Sequence, residues 1–148
     1  MPYAKFHRRS PRLTTCFDDL AAALRAWAKG LFTAEAAIEL RIGHGSWRYR
    51  EDFLGIAVEF GQGITNGAVM AAVDWEAAVA ALDAGRLPCS GGEGRILRLA
   101  ASIGGGVAVD LGSALPGLDE RNIAAAARAV LHAAGRRDPG VAAGSERW

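Results

Sequence analysis

Alanine and glycine together supply 50 of the 148 residues, 31 of the first and 19 of the second, so a third of the chain has almost no side chain. Side chains this short cannot bridge a gap by reach. Helices that carry them bury surface only if their axes come near the low end of the ~8–10 Å range. The expected core is therefore thin and closely approached. The 51% hydrophobic share is too high for a wholly disordered chain, and a length of 148 residues suits one domain.

Start and stop signals divide the chain into helices. Thr15-Cys-Phe-Asp18 precedes Leu20, Ala23, Leu24 and Trp27 at helical spacing, and Gly30 closes that segment, which predicts a first helix over about 16–29. Thr33 and Glu35 open a second, with Ala34, Ala37, Ile38 and Ile42 on its apolar face, and Gly43-His-Gly45 stops it. Ser46 is positioned to cap a third, in which Tyr49, Phe53, Ile56, Ala57 and Phe60 recur until Gly61. Residues 68–73 fit helix or strand equally by period. Asp74 caps a helix that ends at Gly85, with Pro88 beyond it. Ser90-Gly-Gly-Glu93 is a capping box ahead of Ile96, Leu97, Leu99, Ala100 and Ile103, and Gly104-Gly-Gly106 is expected to break that helix. Asp119 caps the last, with Ile123, Ala126, Ala127, Val130, Leu131 and Ala134 expected to face the core and Gly135 closing it. The expected fold is all-α, a compact bundle of about six helices joined by short Gly-rich turns, with at most a minor edge strand near 107–109.

Charge is unevenly spread. Residues 1–12 carry Lys5, Arg8, Arg9 and Arg12 without an acid, whereas residues 13–135 are net −4. This predicts a flexible basic arm over 1–12, one helical domain over 13–135 and a flexible tail over 136–148. The longest apolar stretches, 67–73 and 123–127, fall far short of the roughly 20 residues that cross a bilayer, so no membrane association is expected. No apolar segment follows the first basic residues as in a secretory leader, which gives a cytoplasmic expectation with Cys16 and Cys89 both reduced.

Few residues suggest chemistry. Gly61-Gln-Gly63-Ile-Thr-Asn-Gly67 has its third glycine one residue late for a dinucleotide loop and lacks a following Gly-Lys-Ser/Thr, so it is read as a connecting loop. His44 lies beside Ser46, but Trp47 stands where a nucleophile elbow needs glycine. His7, His44 and His132 have no metal-ligand spacing, and the acidic pairs 18–19, 51–52 and 119–120 sit in first helical turns, where the helix dipole favours them. No metal, no cofactor and no enzymatic activity are expected.

The stretch from Thr33 to Arg50, with Ala37 inside its first helix, Leu40 and Ile42 bracketing the turn and Trp47 after it, resembles an excisionase-type helix-turn-helix. That resemblance implies DNA contacts from Arg48 and Arg50, supported by Lys5, Arg8, Arg9 and Arg12 on the arm. Leu87-Pro-Cys-Ser-Gly-Gly-Glu-Gly-Arg-Ile-Leu-Arg-Leu-Ala-Ala-Ser102 and the segments 109–111 and 118–122 resemble small proteins of high-GC Gram-positive bacteria with no known activity, which implies only that the segment from about Thr33 to Gly135 is one unit. The leading expectation is a non-enzymatic α-helical interaction module that self-associates or binds a protein partner. Trp47 and Trp75, near helix starts, are its interface candidates. The alternative is the DNA-binding reading.

Overall fold

The computed structural model describes residues 17–47, 50–63 and 66–136. In chain order these form α1 (Phe17–Ala28), α2 (Phe32–His44), α3 (Glu51–Ala57), β1 (Val58–Gln62), β2 (Val69–Val73), α4 (Trp75–Asp83), α5 (Gly91–Gly105), α6 (Leu111–Ala114) and α7 (Glu120–Ala133). The expected arm over 1–12, Cys16 and all of the expected tail but Arg136 lie outside the described residues.

Three helix starts are set by short-range hydrogen bonds from the expected caps. Asp74 Oδ1 accepts the Ala77 N–H at 2.9 Å, and Asp119 Oδ1 accepts that of Asn122 at 2.8 Å. The capping box is complete: Ser90 Oγ accepts the Glu93 N–H at 3.2 Å and Glu93 Oε2 accepts the Ser90 N–H at 3.0 Å. Two orphan donors of the first turn are thereby satisfied, one by each partner.

The third expected helix is corrected. It stops at Ala57, and Val58–Gln62 turns into a strand that pairs antiparallel with Val69–Val73, with Val58 opposite Val73 and Phe60 opposite Ala71. Spacings of four, three, one and three fit a helix. The β-branched Val58 and aromatic Phe60 ahead of Gly61 fit a strand as well, and a partner strand is present to take their backbone groups. The undecided segment 68–73 is that partner, with Ala71 and Val73 buried on one face. The glycines at 61–67 close this hairpin; Gly63 N–H donates to Ala68 O at 2.8 Å. A strand follows the loop, so no helix N-terminus is offered to a phosphate there. No strand forms at 107–109, and the short α6 follows instead.

α2 is the centre of the assembly. α5 and α7 pack along it, α1 lies beside it, and the hairpin covers α1 through β2, while α4 is held between α3 and α5. Ala34, Ala36, Ala37, Ile38, Leu40, Arg41 and Ile42 of α2 are all buried. Contrary to expectation, α5 runs through Gly104 and Gly105 and closes only at Gly106, whose φ is +67°. Those two glycines are contact points. A Cβ at Gly104 would lie 2.6 Å from the Ala37 Cβ and one at Gly105 2.7 Å from the Trp75 Cβ.

Two opposite outcomes follow for glycine-to-alanine changes in one helix, read by urea unfolding. Gly92→Ala, where a Cβ meets nothing within 4 Å, should stabilise by about 0.4–1 kcal/mol. Gly104→Ala should destabilise by about 1–3 kcal/mol, because α5 must back away from α2 and Trp75. Separately, Ser90→Ala should lose about 0.5–2 kcal/mol by undoing the capping box; a loss within error would show that the cap is not what holds this first turn.

Candidate functional site

The turn after α2 is built around a buried cation. Arg41 is 1% exposed, and one of its terminal nitrogens, Nη2, donates to Trp47 O at 2.9 Å while the guanidinium carbon sits 4.6 Å from the centre of the Phe53 ring. Its Nε is buried without a partner. Loss of solvation lowers its pKa to about 10, which leaves it charged at neutral pH. Trp47 lies against Phe53 at 5.6 Å between centroids and donates from its indole nitrogen to Glu93 O at 2.9 Å, tying this turn to α5.

The candidate interface tryptophans are therefore elsewhere than expected. Trp47 is 0% and Trp75 6% exposed, so neither ring of these interface candidates is open to a partner: one is locked by Arg41, Phe53 and α5, the other by the glycines of α5. Arg50 is committed as well. It pairs through two nitrogens with Asp52, donates to Pro88 O at 2.5 Å and stacks 4.7 Å from the Trp47 ring centre. The Asp52 bond raises the Arg50 pKa, and the Arg50 bond lowers that of Asp52. Arg48, like Lys5, Arg8, Arg9 and Arg12, lies outside the described residues. Burial, then the charge of Glu93, pushes the Cys89 thiol up, away from the thiolate form that nucleophilic chemistry uses. Among the described residues no group of three His, Cys, Asp or Glu side chains could hold a metal ion, and no helix is long and apolar enough to cross a membrane.

The unusual surface is on α7. Its inner side is buried through Ala126 and Ala129 alone. At about 100° per residue, Ile123, Ala127, Val130 and Ala134 form a stripe beside that face, and Ala124 and Leu131 continue it outward. This stripe is exposed: Ile123 is 49% and Val130 58% accessible, correcting the expectation that Ile123, Ala127, Val130 and Ala134 enter the core. The physical reason is the size of the contact. α7 lies close to α2 through alanine, and two adjoining apolar stripes cannot both face one neighbour. Periodicity shows that a stripe exists; it does not say which of two is covered.

The opposite flank of α7 is polar and faces α2 across a groove of about 370 Å³. Ala36, Leu40, Ala125 and Ala129 contribute its small apolar walls, and Arg121, Asn122, Arg128 and His44 line it with polar groups. Glu39 and His132 line it too: Glu39 is held by Arg25, at 2.6 and 3.1 Å, and His132 Nε2 lies 2.8 Å from Glu35 Oε2. Sequence reading passes over Arg121 and Arg128; their spacing of seven, which places them on one side of a helix, is the signal that finds them. Comparison with protein-family models, curated proteins and solved structures finds no match to this chain.

Arg41 gives a stability test of the turn. A base whose folded-state pKa lies below its ordinary value opposes folding wherever it is charged in both states, which is everywhere below about pH 10, and this opposition fades only as pH rises above about 10. At pH 7 Arg41→Met, which keeps length and contact with Phe53, should leave unfolding free energy equal or higher. Arg41→Ala should lose about 2–4 kcal/mol by opening a cavity. A loss above about 2 kcal/mol for the Met variant would show that the bond to Trp47 outweighs desolvation.

Proposed function

We propose that this chain is a non-enzymatic helical interaction module whose partner is a second copy of itself, joined through the outer face of α7. The observation that carries this reading is the exposed stripe of Ile123, Ala127, Val130 and Ala134, flanked by Ala124 and Leu131. A helix that is apolar on its inner face and again on its outer face is one that is covered on both.

The chemistry of the stripe favours a second copy over an unrelated partner. In a two-fold interface the same patch meets itself, so its two ends must be mutually complementary. Glu120 stands at the start of α7 and Arg136 just past its end. Antiparallel pairing brings each glutamate towards the other copy's arginine, and the helix dipoles oppose favourably in the same arrangement. The small residues at 124, 127 and 134 allow close approach, with Ile123 and Val130 as the apolar anchors.

Light scattering after size exclusion should return twice 15.5 kDa for the native chain. Val130→Glu, placed on a residue already 58% exposed, should leave circular dichroism unchanged and raise the dimer dissociation constant at least about tenfold. Glu120→Arg should weaken the dimer and Glu120→Arg with Arg136→Glu should restore it. A native mass of one chain at high concentration overturns the proposal. So does a chain ending at residue 136 that dimerises when the full chain does not, since the occupant is then the chain's own last residues.

A further inference from the structure

We infer that the groove between α2 and α7 is a binding site for a small organic anion, a carboxylate or phosphate carried on an apolar body, with Arg121 and Arg128 holding the charge. The argument starts from the disposition of charge. The one acid that lines the groove, Glu39, is engaged by two nitrogens of Arg25, and the neighbouring Glu35 by His132 and by the Gly30 N–H at 3.1 Å. Asp119, at the head of α7, is turned to its own helix by the bond to Asn122. Arg121 and Arg128, by contrast, have no hydrogen bond or ion pair among the described residues. A flank with its acids neutralised from behind and two unpaired guanidinium groups in front carries a positive field into a concave surface, where low-dielectric walls concentrate it.

The shape of the groove then selects the kind of anion. Seven residues of helix rise separate the two arginines by about 10 Å along the axis, so their forks reach one group from both sides or two groups on one molecule. The apolar part of the walls is alanine and leucine, beside Glu39, Asn122 and His132, and a volume of about 370 Å³ lies within the range of small-molecule sites. Bare inorganic ions would leave those walls wet. His44 lines the same groove, and its Nδ1 is buried with no hydrogen-bond partner among the described residues. The site lies on the charged flank of α7, apart from the apolar stripe, so it does not depend on self-association.

Three probes at constant ionic strength separate the sources of the charge: benzoate, phenyl phosphate and inorganic phosphate, each titrated into ¹⁵N-labelled full-length protein. Saturable shifts are expected at the amides of His44 and of residues 121–129. An aromatic anion should bind at least fivefold more tightly than inorganic phosphate, and the order of benzoate and phenyl phosphate tells carboxylate from phosphate recognition. Arg121→Gln and Arg128→Gln should each weaken the better probe at least fivefold. Both side chains are exposed, so the fold is retained, and Arg98→Gln, which only releases Asp83, should change nothing. Val130→Glu should bind as the native chain does, which keeps this result separate from the fate of the dimer. The inference is overturned if none of the probes saturates, if inorganic phosphate binds as tightly as the aromatic anions, if the shifts scatter over surface arginines, or if the double arginine variant binds as well as the native chain.

Discussion

α2 is buried on nearly all sides, and everything else in the molecule is placed by how closely its neighbours can come. Seven of its thirteen residues are buried, three of them alanine. A buried methyl contributes only about 0.8 kcal/mol, so alanine-lined contacts gain stability through continuity and proximity. That is why glycine stands at 104 and 105 of α5 and why α7 meets the core with Ala126 and Ala129. Larger residues at those positions would separate the helices by more than their own volume could refill.

Against that thin core Arg41 is the exception, and it explains the turn that follows. A guanidinium cannot be sealed into an alanine core without acceptors. The chain after α2 supplies one carbonyl, from Trp47, and one aromatic face, from Phe53. Trp47 is in turn stacked by Arg50 and anchored to α5. The Phe53 ring covers Arg41 and the Trp47 ring is packed between Phe53 and Arg50, which is why neither Trp47 nor Phe53 reaches the surface.

What was legible in the sequence was local. Asp74, Asp119 and the Ser90 and Glu93 pair each bond within three residues, so the helix starts they set can be read without knowing the fold. The mostly helical character follows from them. The hairpin was not legible because Phe53, Ile56, Ala57 and Phe60 satisfy a helical period while Val58 and Phe60 satisfy a strand; only the pairing of Phe60 with Ala71 decides, and it spans a loop. Burial of the tryptophans and the outward turn of Ile123 and Val130 were hidden for a related reason. Each depends on which neighbour arrives. The groove was illegible too, since its two walls are some eighty residues apart and its arginines look like ordinary solvated charges until the acids around them are seen to be taken.

α7 thus has three sectors with three environments. Its inner alanines attach it to the core, its arginine flank opens on a groove, and its outer stripe is apolar. The attachment buries little area per residue, because alanine has so little to bury. A partner that covers the outer stripe therefore adds to the stability of α7 itself: anything that binds the folded helix and not the unfolded chain shifts the equilibrium by mass action. In the dimer we propose, association and the ordering of the last helix are one equilibrium: the second copy completes the apolar stripe, and the arginine flank is the face of α7 left for the proposed anion.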